Sequence, residues 1–138
     1  MSLFNVFDVT GSAMSAEAVR LNTTSSNLAN ANAVTSSADE TYKARHPVFA
    51  AELNRFRSQQ GESVPVRVAG IVESQKPLEA EFMPDHPMAN ADGYIYKPNV
   101  NVMEEMANMI SASRSYQTNA QVAEASKQML MRTLQLGE

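Results

Sequence analysis

Cysteine and tryptophan are absent from this 138-residue chain, and glycine is scarce, with 5 in all. Without cysteine there is no disulfide and no thiolate metal ligand, although such a chain suits reducing and oxidising compartments alike. No GxGxxG or Walker-type pattern occurs, so the glycine-rich loops that cradle phosphates are excluded. Basic residues are in the minority: 11 Lys and Arg stand against 15 Asp and Glu, for a net charge of −4. Nothing forms a basic stripe to neutralise a phosphate backbone, so nucleic acid is not an expected partner. No run of about 18 apolar residues exists, and a membrane-spanning helix is not expected. The first stretch carries Asp8 and Glu17 and no Lys or Arg before Arg20. It lacks the basic and apolar regions of a secretory leader.

What is present is a 43% hydrophobic chain that leans on Ala and on 9 Met, with 5 Phe and 4 Tyr. That content places it among proteins that pack against something. Large rigid side chains are few, so a self-contained core would be thin.

The stretch "NVNVMEEMANMISASRSYQTNA" opens with a helix-start signal. Asn101 fits an N-cap, and Glu104 three residues later fits the reciprocal arm of a capping box. No Gly or Pro follows between Val102 and Leu134. Val102, Met106, Met109, Ser113, Tyr116, Ala120, Ala123, Lys127, Leu130 and Leu134 alternate steps of four and three, the 3.5-residue period of a coiled-coil seam. A helix of that extent reaches roughly 50 Å. Its seam is interrupted by small and polar side chains, which permit close approach of another backbone but bury little apolar area per turn.

The N-terminal segment repeats the theme. Phe7, Met14, Leu21 and Leu28 recur every seven residues, with Gly11, Ala18 and Ser25 four residues further on. A second helix is expected from about Val9 or Ser12 to Ala31. Its polar face is crowded with Asn, Ser and Thr, whose side chains compete for backbone hydrogen bonds.

All six prolines fall in the middle, between residues 33 and 100. "VPVRVAGIVES" puts Val64, Val66 and Val68 on one face, "EAEFM" and "GYIYK" read as further strands, and Asp92-Gly93 marks a tight turn. "VFAAELNRF", at 48–56, fits a short helix or a strand. The expected class is α+β: long N- and C-terminal helices forming a coiled-coil-like domain, with a small β-rich, loop-rich middle. The divisions are 1–35 for the N-terminal helix, 36–100 for the middle and 101–138 for the C-terminal helix.

Chemistry finds little purchase. Asp85, His86 and Asp92 in "MPDHPMANADG" match no metal-ligand spacing, and His46 is isolated from any nucleophile motif. The methionines at helical spacing read as adaptable packing rather than soft-metal ligands. No catalytic, cofactor or metal site is expected. Arg114 and Tyr116 are of the types enriched in protein interfaces.

At the termini a resemblance becomes specific. "MSAEAVRLNTTSSNLANANAVTS" resembles the N-terminal signature of the bacterial flagellar axial proteins, through Arg20-Leu21-Asn22 and Asn27-Leu28-Ala29-Asn30-Ala31. Residues 85–138 resemble the rod subunits of that family, through Gly93-Tyr94, Pro98-Asn99-Val100, Glu105-Met106 and Ser113-Arg114-Ser115-Tyr116-Gln117. Thr118, where relatives often have Ala, and residues 38–56 depart most. The short middle is similar to that of a proximal rod subunit, since distal rod and hook proteins carry larger inserted domains.

The resemblance implies a structural subunit of a hollow, torque-transmitting rod in the periplasm, exported without signal cleavage by the flagellar type III apparatus. Its partners would be copies of itself, other rod proteins and a rod-base protein adjoining the export gate. Assembly contacts are then expected at Phe7, Met14, Leu21, Leu28, Met106, Met109, Ile110, Arg114, Tyr116, Leu130 and Leu134. The signature residues are Arg20, Asn22, Asn27, Asn30, Pro98, Asn99 and Gln117. A soluble helical adaptor or chaperone that binds one partner helix is the competing reading.

Overall fold

A computed structural model describes residues 3–52 and 64–135. In chain order the elements are α1 (Leu3–Asn30), β1 (Arg45–Ala51), β2 (Val66–Glu73), β3 (Glu79–Phe82), β4 (Tyr94–Lys97) and α2 (Val102–Gln135). This is the expected α+β arrangement, with two helices at the ends and two small sheets between them.

Helix α1 begins six or more residues earlier than its sequence suggests. The hydroxyls near the expected start are turned back into the preceding turn: Thr10 Oγ1 donates to Val6 O at 2.8 Å and Ser12 Oγ to Val9 O at 2.9 Å. A hydroxyl bonded in this way is satisfied inside the helix by a carbonyl that the ladder also uses, at a small cost. The same device carries the polar C-terminal half, where Thr23 Oγ1 donates to Val19 O, Ser26 Oγ to Asn22 O and Asn30 Nδ2 to Ser26 O.

Helix α2 starts where expected. Asn101 Oδ1 accepts from the amides of Met103 and Glu104, at 3.1 and 3.2 Å, satisfying two of the orphan donors of the first turn. The reciprocal arm is not made. The Glu104 carboxylate lies 3.6 Å from Lys76 Nζ instead, drawn to a cation on the segment before β3.

Strands β1 and β2 pair antiparallel from Arg45↔Glu73 to Ala51↔Val66, with a register shift between Val48 and Phe49. "VFAA" is thus strand, and the rest of the 48–56 ambiguity falls largely outside the described residues. Strands β3 and β4 form a second antiparallel pair, extended by a bridge between Thr35 and Tyr96. Their connection ends in a turn closed by Gly93 N–H to Asn90 O at 3.0 Å, and Gly93 holds φ = +79°. The tight turn at 90–93 that closes this connection takes that left-handed position at its end, which glycine adopts without a Cβ penalty.

α1 is the element on which both α2 and the β1–β2 hairpin pack. Along α1, Arg20 meets Asn108 and Asn27 meets Glu105, so the helices run antiparallel. The buried positions are mostly small or polar: Ala16, Ala44 and Ala112, together with Thr10, Thr23, Thr24, Asn27, Glu105 and Ser126. Ile95 is the one large aliphatic side chain fully buried among the described residues.

Gly93 offers a direct check on the β3–β4 connection. A Cβ placed there would stand 2.9 Å from the Phe82 ring and 3.2 Å from Pro84 Cβ. Gly93→Ala is expected to cost about 1–3 kcal/mol of local stability. Hydrogen exchange would show faster amides in Tyr94–Lys97 with the helices unchanged, whereas unchanged exchange in β4 would contradict the turn assignment.

Candidate assembly surface

Two asparagines organise the junction between helices and strands. The Asn27 carboxamide is fully buried on α1. Its Nδ2 donates to Arg45 O at 2.8 Å and to Glu105 Oε2 at 3.0 Å. Its Oδ1 accepts from Arg45 N and from the Tyr42 hydroxyl, both at 2.9 Å. Both amide protons and both lone pairs are used, so one side chain ties α2, the start of β1 and the preceding loop to α1. An acid at this place lacks the donors, and glutamine is a methylene too long.

Asn99 plays a matching part before α2. Its Oδ1 accepts from Ala44 N at 2.8 Å, and its Nδ2 donates to Lys76 O at 2.7 Å and more weakly to Ser74 O. A bond from Ser74 N to Ala44 O closes the same crossing. Both asparagines were among the signature residues. Of the others, Arg20 donates Nη2 to Asn108 Oδ1, Asn30 bonds within α1 and Pro98 is buried, while Asn22 and Gln117 are exposed.

Tyr42 and Arg45 carry no signal in the sequence, and Glu105 enters it only through the Glu105-Met106 match, with no role attached. Acid in a first helical turn ordinarily complements the helix dipole at the surface, yet Glu105 is buried. The available signal is its phase, seven residues before Ala112 and twenty-one before Ser126, the other buried positions of α2. Tyr42 has a phenol pKa raised above its ordinary 10.0 chiefly by burial, with Arg45 opposing and the Glu105 and Glu73 carboxylates adding. A raised folded value means that the phenol's contribution is intact below about 10 and lost as pH climbs further, when the donor to Asn27 disappears.

The buried stripe of α2 therefore falls one residue ahead of the apolar seam: Glu105, Ala112 and Ser126 are covered, next to Met106, Ser113 and Lys127. One residue is about 100° of helix rotation. Met106, Ile110 and Arg114 consequently turn away from α1 and are exposed. Tyr116 and Leu134 share the face of Glu105 and Ala112 yet are exposed as well, and Met109 and Leu130 are half-buried. On α1, Phe7, Met14, Leu21 and Leu28 are all half-buried. The structure brings none of these into a closed apolar core.

Elsewhere, Asp85, His86 and Asp92 lie on the β3–β4 connection. His86 Nδ1 accepts from Met88 N, a loop-shaping bond. Among the described residues no three His, Asp or Glu side chains converge in a metal-holding group, and no helix is long and apolar enough to cross a membrane.

Helical ends that pair with each other through polar contacts while turning apolar residues outward define a subunit-like fold, and the comparisons agree. Residues 7–35 match the family model described as flagella basal body rod protein, and residues 91–136 that described as flagellar basal body rod FlgEFG protein C-terminal. The chain is 44% identical over 138 residues to the flagellar basal-body rod protein FlgC of Salmonella typhimurium strain LT2, covering all of both chains. It is 45% identical over 139 residues to that of Yersinia enterocolitica and 32% over 150 residues to that of Bacillus subtilis strain 168, again covering all of each. The chain belongs to the FlgC family of flagellar basal-body rod proteins.

The Asn27–Glu105 pair is open to a double-substitution test. Asn27→Asp removes both donors and sets two carboxylates together, which is expected to cost about 3 kcal/mol or more. Lost helical circular dichroism and a lower urea midpoint would report it. Adding Glu105→Gln returns a donor across the pair and recovers part of the loss, whereas full stability in Asn27→Asp alone would contradict the contact.

Proposed function

We propose that the chain is a structural subunit of the flagellar basal-body rod, placed in its proximal part, where it polymerises through its terminal helices into a hollow helical shaft. The carrying observation is the mismatch on α2: its contact with α1 uses Glu105, Ala112 and Ser126, while Met106, Ile110, Tyr116 and Leu134 stay exposed. Apolar helix surface left uncovered to this extent is the property of a protein completed by neighbours. The family supports a basal-body location and a structural role.

On this reading residues 1–35 and 101–138 are two halves of one helical unit, and residues 36–100 form a β middle hung on it. The contact set comprises Phe7, Met14, Leu21 and Leu28 of α1 with Met106, Met109, Ile110, Arg114, Tyr116, Leu130 and Leu134 of α2. Its partners are other copies, further rod proteins and the rod-base protein at the export gate. Delivery runs through the flagellar type III apparatus without signal cleavage, and the assembled shaft spans the periplasm. Load would pass through many lateral contacts, with no catalytic step and no cofactor.

Ile110 is a cleaner probe than Met109, because it is exposed and Met109 is half covered within the chain. Ile110→Asp is expected to change the stability of the isolated chain by no more than about 0.5 kcal/mol. The same substitution should abolish motility and the chain's presence in purified basal bodies, with export into the medium still detectable. Normal motility would count against an intersubunit face there.

A further inference from the structure

Two uncovered apolar surfaces differ in shape and in charge. The first is the loop between β3 and β4. Its backbone is tied down by bonds from Met83 N to Gly93 O, His86 N to Met83 O and Ala89 N to His86 O, at 2.9–3.1 Å. This ordered loop presents Phe82, Met83, Met88 and Tyr94 to solvent, with Phe82 61% exposed and its ring edge-on to Tyr94 at 5.2 Å. Asp85 and Asp92 flank the patch, exposed and without a salt bridge among the described residues.

The second surface is the outer stripe of α2. Met103, Met106 and Ile110 follow at i, i+3 and i+7 and are 76%, 50% and 57% exposed. Residues so spaced share one helical face. Arg114, one turn further on, ends the stripe and has no salt-bridge partner among the described residues. Glu104, the nearest exposed acid on the helix, is engaged by Lys76.

We propose that the β3–β4 loop of one copy docks on the Met103–Ile110 stripe of α2 in a second copy, with Asp85 and Asp92 set against Arg114. The inference rests on the rod reading and deepens it by naming a pair of surfaces. Charge selects the pairing: loop against loop would gather four acids, and stripe against stripe would oppose two arginines, whereas loop against stripe brings opposite signs together. A loop already held by its own hydrogen bonds loses little conformational freedom on docking, and methionine adapts its shape to a curved aromatic surface. A contact between two different surfaces of the same chain is heterologous. Repeated with a rotation that does not close, it grows a helical assembly rather than a dimer.

The chain contains no cysteine, so engineered pairs report without background. Met88→Cys, Ile110→Cys and the double variant would each be expressed as the sole copy, and basal bodies isolated and treated with a short bismaleimide. The double variant is expected to give a ladder of dimers, trimers and longer products of this chain, and each single variant none. Asp85→Arg with Asp92→Arg should lose the ladder in the double-cysteine background, and adding Arg114→Glu should bring it back. No ladder from basal bodies that contain the double variant would overturn the docking while leaving the rod reading intact. An adduct with a different protein in place of the ladder would overturn it too. Absence of the unsubstituted chain from basal bodies would instead overturn the rod reading.

Discussion

The contact between the Asn27 carboxamide on α1 and the Glu105 carboxylate on α2, 3.0 Å apart and buried, sets the terms for the rest of the chain. A buried acid is tolerated only where donors meet it, and Asn27 meets it in one orientation because its other atoms are committed to the Arg45 backbone. The pair therefore fixes the helix register and the entry of β1 together. Small neighbours make it reachable: Ala16, Thr23 and Thr24 on one helix and Ala112 and Ser126 on the other let the backbones approach. Asn99 repeats the logic at the second crossing, holding Ala44 and Lys76 before α2 begins.

A seam built this way specifies geometry better than it supplies stability. Each satisfied hydrogen bond nets only about 1 kcal/mol, and alanines and threonines bury little apolar area. The large side chains lie elsewhere, with Met106, Ile110, Met129 and Leu134 each at least half exposed. Covering the half or more that is still exposed on one such residue stabilises by roughly 0.8–2 kcal/mol. Four together supply a substantial share of the roughly 5–15 kcal/mol by which an ordinary domain is stable. On this account the free energy that a compact protein draws from its own core is drawn here from neighbouring subunits, and association and folding are linked.

Much of this was legible from residues alone, and the failures have physical causes. The start of α2 was visible in Asn101, and β2 in the alternation of Val64, Val66 and Val68, because caps and strand faces are local. The start of α1 lies earlier than the expected Val9 or Ser12, because Thr10 and Ser12 bond back to Val6 and Val9 and sit inside the helix. The 3.5-residue pattern found the apolar residues of α2 but could not show that the chain's own contact lies one residue earlier. Burial usually follows hydrophobicity, and this seam departs from that rule, so the Glu105-Met106 match gave no sign that Glu105 is the buried one. Asn27 and Asn99 stood out through the family resemblance, but their hydrogen-bonding roles depend on Arg45, Ala44 and Lys76, which only the folded chain brings near.

The central claim is that the helical ends are completed by other subunits. Hydrogen–deuterium exchange of α1 and α2 amides, compared between the isolated chain and the same chain in purified basal bodies, tests it most directly. The account predicts partial protection of both helices in isolation and much stronger protection after assembly, most of all around Met103 to Ile110 and Met129 to Leu134. Equal, strong protection in the isolated chain would contradict it, for the helices would then have all the core they need.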